Sequence, residues 1–357
     1  MEDIKEFLGH VRRMRRGDRV FRHGIITSIV ARFDEYFSKV LRICFRLNPG
    51  WLKNTEKKMS YKELLEIKSL DDLKEEIISK EIDGLMRDSH HAQITFLDEK
   101  LKIGVEEHFS QWKEFLEITE RRNLFVHTGG QVSSQYLNNC AKWQIQVNSK
   151  IDESVKLSAN DNYITKAIDC FYELAVRTTQ AVARRIFPQC LEDADRILNN
   201  QSVDDLLAHE RWALADRIFE FALGIPEKLV SPGEWKYPFL INRCIAKKFN
   251  NQPFTDLLHS ILWTAFHPKY HFAVAILEDK FDLAIELLRS EAVKEAVTET
   301  SLRDWPLLRE FRKLPAFQSA FKEIFGKDFT SEYLAEIKKE ISAEAEQNHP
   351  TPPPNGQ

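Results

Sequence analysis

Glycine and proline are scarce in this chain: 12 and 13 in 357 residues, against a usual combined share of about 12%. Sheets and barrels need a turn every ten residues or so, and turns consume these two residues. Their scarcity argues against all-β and α/β folds and for long helices. Prolines are also unevenly placed. Only Pro49 precedes Pro188, and four lie in the last eight residues. The five cysteines, Cys44, Cys140, Cys170, Cys190 and Cys244, are scattered and form no Cys-x-x-Cys pair. Neither a disulfide framework nor a zinc site is indicated. No run approaches the 18 or so consecutive apolar residues of a membrane span, and the acidic start lacks the apolar core of a signal peptide. The chain is therefore expected to be cytoplasmic. Charge of one sign is missing too: 51 Lys plus Arg against 55 Asp plus Glu excludes bulk coating of nucleic acid but leaves room for a local basic site. There is no P-loop, GxGxxG, GxSxG or HExxH, so the corresponding nucleotide, serine and zinc chemistries lack support.

Helical spacing fills most of what remains. Phe33, Phe37, Val40 and Cys44 form an apolar stripe that predicts a helix over 18–47, stopped at Asn48-Pro49-Gly50. Ser60 and Ser69 are candidate N-caps for charged helices across 60–100. The segment 101–130 carries a strong helix, with Phe109, Trp112, Leu116 and Thr119 at helical spacing and Gly129 and Gly130 as its stop. The alternation in 143–150 suggests a short strand, and Asn162–Phe187 another long helix ended by Pro188. Beyond it, shorter helices alternate with proline-bearing loops. Trp212 with Ala215 is echoed by Phe281 with Ala284, close to two periods of a tetratricopeptide-like helix pair, beside an equal case for a plain helical domain. The expected division is 15–190, 191–342 and a disordered tail over 343–357.

Arg122-Asn123-Leu124-Phe125-Val126-His127 is the constellation that carries chemistry. The bare arginine–histidine spacing is weak, for Arg16 with His23 and Arg121 with His127 match it as well. Context distinguishes Arg122. Asn123 and His127 lie about 40° apart on one helix face, continuing the stripe of Trp112 and Leu116, while Arg122 points about 140° from His127. Polar groups that interrupt an apolar stripe need partners or a task. A histidine in the last helical turn is favoured as its cation by the helix dipole. One helix does not converge these groups on one phosphate, but two copies about a dyad would.

The segment 120–137, ERRNLFVHTGGQVSSQYL, resembles the signature of HEPN domains, the higher eukaryote and prokaryote nucleotide-binding family, and the flanking helices at 33–45 and 162–176 suit that family's antiparallel four-helix bundle. The resemblance covers roughly residues 15–190. It implies an all-α fold and a homodimeric, metal-independent endoribonuclease that needs no cofactor. His127 would be its general acid or base, Arg122 would stabilise charge on the scissile phosphate and Asn123 would position it. Attack by the ribose 2′-hydroxyl would leave a cyclic phosphate and spare DNA. Such domains often serve antiphage defence, abortive infection or toxin–antitoxin systems. The C-terminal domain would then bind a regulatory protein partner. The rival expectation is a catalytically inactive RNA-binding or dimerisation scaffold.

Other side chains have blander readings. The alternative for His127 is a bond to helix-end carbonyls, and for Arg122 a pair with Glu120, Glu117 or Asp169. His90 and His91 read as a surface pair and not a metal fragment. Glu106 and Glu107, beside His108, read as charge at a helix N-terminus. Asp34 and Glu35 read as a solvated face, with a place in the Arg–His cleft as the alternative. The arginine cluster over 12–22 reads as solvated helix surface before an RNA-facing patch.

Overall fold

A computed structural model describes residues 2–52, 60–62, 67–233 and 235–329, with side chains from Gly17 onward. Among them the fold is all-α: the elements are helices, and the one β-bridge joins Gln131 to Lys156. The helix expected after Ser60 runs into residues outside this range, as does the 343–357 tail. No helix among the described residues is long and apolar enough to cross a membrane.

The chain divides into two compact units. The first comprises Met1–Gln201 together with Glu220–Trp235, and the second Ser202–Phe219 with Lys236–Gln357. The division therefore falls eleven residues beyond the expected 190/191 junction, and a short later segment returns to the first unit.

The first unit is organised on three helices. Helix α1 spans Glu2–Leu47, longer than its apolar stripe predicts. Helices α2 (Leu70–Leu85), α3 (His90–Leu101), α4 (Val105–His108), α5 (Trp112–His127), α6 (Ser134–Lys142), α7 (Asp161–Ile186) and α8 (Leu191–Ser202) follow. The α1 stripe is core: Ile26, Val30, Phe33, Phe37, Leu41 and Cys44 are buried at intervals of three and four. Full burial of each large apolar side chain is worth about 1.5–3 kcal/mol. Phe33 sets its ring edge-on to Phe115 of α5 and Phe171 of α7, at centroid distances of 5.5 and 5.1 Å. Contact order along the helices gives their directions. Residues 22 and 36 of α1 meet 161 and 175 of α7, so these two helices run parallel. Residues 23 and 33 meet 125 and 115 of α5, so α5 runs against α1. Helix α5 thus runs antiparallel to both α1 and α7.

Local signals account for most helix ends. Ser69 caps α2 by accepting from the Asp72 amide at 3.0 Å. The backbone and side-chain amides of Asn48 both bond the Cys44 carbonyl before Pro49 closes the helix. Ahead of α5 the chain is broken: α3 ends at Leu101, and the four residues of α4 are the one helical piece before Trp112. Lys102 and Gly104 take left-handed conformations, and Asp98 Oδ1 accepts from the Ile103 and Gly104 amides, which turns the chain before α5 begins. The strand expected at 143–150 does not form: Trp143 caps α6 and the segment runs on as irregular chain. Its apolar residues pack instead against the small cluster of Leu124, Tyr136 and Cys140.

In the second unit, α9 (Trp212–Leu223, whose last turn belongs to the first unit), α10 (Lys236–Phe249), α11 (Thr255–Leu258), α12 (Pro268–Leu277), α13 (Phe281–Leu288), α14 (Glu291–Lys294), α15 (Glu299–Asp304) and α16 (Pro315–Phe325) build a core on Phe272, Phe311, Phe317 and Phe321. Helices α12 and α13 are separated by a tight turn at Asp279, whose φ is +57°. Lys248 clasps that turn through the Ile276 and Leu277 carbonyls and Asp279. Ala215 and Ala284, the two echoed small residues, are both fully buried.

Candidate active site

Helix α5 carries all three candidate residues, and it presents them differently. Along its first turns, Trp112, Leu116 and Glu120 lie on one buried face. The same face leaves the core one turn later, where Asn123 is half-buried and His127 exposed. Neither side chain has a hydrogen-bond or ion-pair partner among the described residues, so His127 does not serve the helix-end carbonyls. The Leu124 carbonyl is capped instead by the Thr128 and Gly130 amides, at 2.9 Å each.

Arg122 follows a different stripe, that of Phe115 and Ile118, toward α1. There its Nη2 meets Asp34 Oδ2 at 3.3 Å. Asp34 Oδ1 is bonded in turn by His90 Nε2 at 2.8 Å, and the His90 ring stands edge-on to Phe115. Arg122 Nε is buried without a partner among the described residues. The Arg122 partner is therefore Asp34, and not Glu117 or Glu120. Asp34 is no solvated-face residue, whereas Glu35 is: it pairs with Arg32 and Lys39 at the surface. His90 and His91 are not a surface pair either. His90 keeps only 11% of its side chain exposed, and His91 lies flat on Trp143, with planes 4° apart. No group of three or more His, Cys, Asp or Glu residues that would hold a metal occurs among the described residues.

Arg121, which shares the bare spacing to His127, is committed elsewhere. Glu117 accepts from Arg121 Nε and from the Tyr136 hydroxyl at 2.7 Å, and from the Tyr163 hydroxyl at 2.8 Å. The Arg121 guanidinium also covers the Tyr163 ring at 4.2 Å. Burial opposes its charge, but the facing Tyr163, Glu117 and Tyr136 hold its pKa above the ordinary arginine value. Burial first, then Glu117, pushes both tyrosines well up, so each stays a donor. Glu120 accepts from Asn139 of α6 at 2.8 Å. These residues fix α5 to α6 and α7.

The turn after His127 is equally constrained. Gly129 and Gly130 have φ of +59° and +93°. A Cβ on Gly130 would lie 2.5 Å from the Leu157 carbonyl oxygen and 3.3 Å from His23 Cε1. His23, the histidine of the Arg16 match, is buried and stacked on Phe125 at 3.8 Å. Burial lowers its pKa, with Arg19 and Lys156 adding to the effect.

Sequence spacing held the signal for Asp34. It lies four residues after Val30 and three before Phe37, both fully buried, so a carboxylate there has to meet a partner. The distant His90 had no such signal, because it arrives through tertiary packing. Comparison with family models, curated proteins and solved structures found no match for this chain.

Proposed function

We propose that this chain is a metal-independent endoribonuclease of HEPN type, acting as a homodimer in which Arg122, Asn123 and His127 of two copies line one cleft. The observation that carries the reading is the contrast on α5. His127 is exposed and unengaged in the last turn of a helix whose rotation is fixed by buried polar bonds. A histidine with no structural duty, held at a defined position, is suited to proton transfer. Arg122 is oriented by Asp34, so its guanidinium enters the site with little rotamer freedom left to lose. Because Arg122 and His127 leave the helix in different directions, a second copy is needed to complete the constellation.

One apolar surface supports this reading. Between α1 and α7 lies an open apolar groove of about 730 Å³, lined by Phe21, Ile25, Ile29, Ile168 and Tyr172 among others. Phe21 and Ile168 leave 68% and 41% of their surface to solvent. Large exposed apolar side chains grouped on one face mark association sites.

In this reading His127 takes the 2′-hydroxyl proton or delivers one to the leaving 5′-oxygen, Arg122 offsets charge on the phosphorane, and Asn123 hydrogen-bonds a non-bridging oxygen. Defence or toxin roles, and a regulatory protein partner at the second unit, follow from the same resemblance. One observation favours the inactive scaffold: Asp34 already offsets part of the Arg122 charge. The deciding experiment incubates single-stranded RNA with the protein, His127→Ala and Arg122→Ala in EDTA. Cleavage to 2′,3′-cyclic phosphate ends by the unmodified protein alone supports the enzyme. RNA binding without cleavage supports the scaffold, and equal cleavage by all three proteins refutes the site.

A further inference from the structure

A cavity lined by none of the Arg122–His127 residues has the build of a ligand site. It measures about 540 Å³, within the range of small-molecule pockets. Three segments of the first unit wall it: 102–109, the α7 stretch 177–185, and 220–229. The 220–229 wall is tied to α7 by buried and partly buried bonds and the 102–109 wall by an exposed one. Arg184, only 2% exposed at its side chain, joins Asp195 at 2.7 Å and donates to the Leu229 carbonyl at 2.7 Å. The second Asp195 oxygen accepts from the Ser231 amide. Arg185 donates to the Lys102 carbonyl at 2.6 Å. The cavity is thus formed before any ligand arrives, which removes an ordering cost from binding.

Its lining is divided. Ile103, Val105, Ile225, Pro226, Leu229 and Phe221 supply an apolar interior. Arg177 is neutralised by Glu173 at 2.8 Å, with its guanidinium over the Phe221 ring at 4.7 Å. Lys102 and Arg185 stand exposed at the rim, with no ion pair among the described residues. The single carboxylate in the lining is Glu220. We infer that this cavity binds a small amphipathic anion, a phosphate or carboxylate group carried on a flat apolar body. The body enters between Val105, Phe221 and Leu229, and the anionic group stays at the rim between Lys102 and Arg185. The inference does not rest on the ribonuclease reading, since none of its residues belongs to that site.

Two sources share this chemistry, a nucleoside monophosphate and an aryl carboxylate. Isothermal titration of the full chain with adenosine 5′-monophosphate in one arm and 1-naphthoate in the other separates them. One-to-one binding is expected in at least one arm. Lys102→Glu reverses a rim charge and should weaken it about tenfold, while added salt should weaken it in the unaltered protein. Ala181→Phe fills the cavity from α7 and should abolish binding, with an unchanged circular dichroism spectrum showing that the variant is folded. Absence of binding in both arms at millimolar ligand overturns the inference. So does binding that neither substitution alters.

Discussion

Removing the Asp34 carboxylate tests how the candidate site is held. Asp34→Ala breaks two contacts of unequal weight. The Arg122 contact is long, at 3.3 Å, single-pronged, and keeps 23% and 29% of the two side chains exposed. Screening by solvent leaves such a pair about 0.5–1 kcal/mol. The His90 contact is short, at 2.8 Å, and the histidine is 11% exposed. A hydrogen bond to a charged acceptor in that setting contributes about 1.5–2 kcal/mol. The expected loss is therefore roughly 2–3 kcal/mol, most of it through His90. Urea unfolding of the single and paired variants, with alanine at 34, 90 and 122, gives both coupling energies by double-mutant cycles. The coupling of 34 with 90 should exceed that of 34 with 122 by about twofold. A larger coupling to Arg122, or a total loss below about 0.5 kcal/mol, would refute the account of Asp34 as an anchor shared by two helices.

Gly130→Ala forces a Cβ to 2.5 Å from a backbone oxygen at a φ of +93°. It should cost about 2–3 kcal/mol and more than Gly129→Ala, measured by thermal or urea unfolding; equal losses would contradict the described turn. Because burial depresses the His23 pKa below its ordinary 6.5, the unfolded chain binds the proton more readily. Stability should be full above pH 6.5 and fall as the pH drops through the lower folded value. His23→Gln should flatten that slope between about pH 7 and 5, where carboxylates contribute little; an unchanged slope assigns it to other groups. Phe21→Asp with Ile168→Lys should shift a dimer to monomer in sedimentation velocity and remove RNA cleavage with it. Retained dimerisation would place the interface elsewhere.

The sequence spoke most clearly where a rule is local. The α1 stripe, the Ser69 cap and the double-glycine stop need only neighbours along the chain, and each could be read there. The turn at 102–104 was not legible, because its cause is a side-chain bond from Asp98 to two amides. The alternation in 143–150 resembled a strand because apolar residues there face a small core without any partner strand. For the site, Arg122, Asn123 and His127 were legible as a pattern and as diverging directions on one helix. That Arg122 meets Asp34, with His90 behind it, depends on residues 88 and 56 positions apart along the chain, which no spacing rule reaches.

The bonds on α5 also have a mechanical consequence. Glu117 receives donors from its own helix, α6 and α7, Glu120 is gripped from α6, and Arg122 is tethered to α1. Turning the helix about its axis by even one residue would break polar bonds on three sides at once. The rod behaves as a keyed shaft: it transmits displacement but not torque. A signal that reaches its exposed end must therefore come from what approaches that end, and not from a twist passed along the helix.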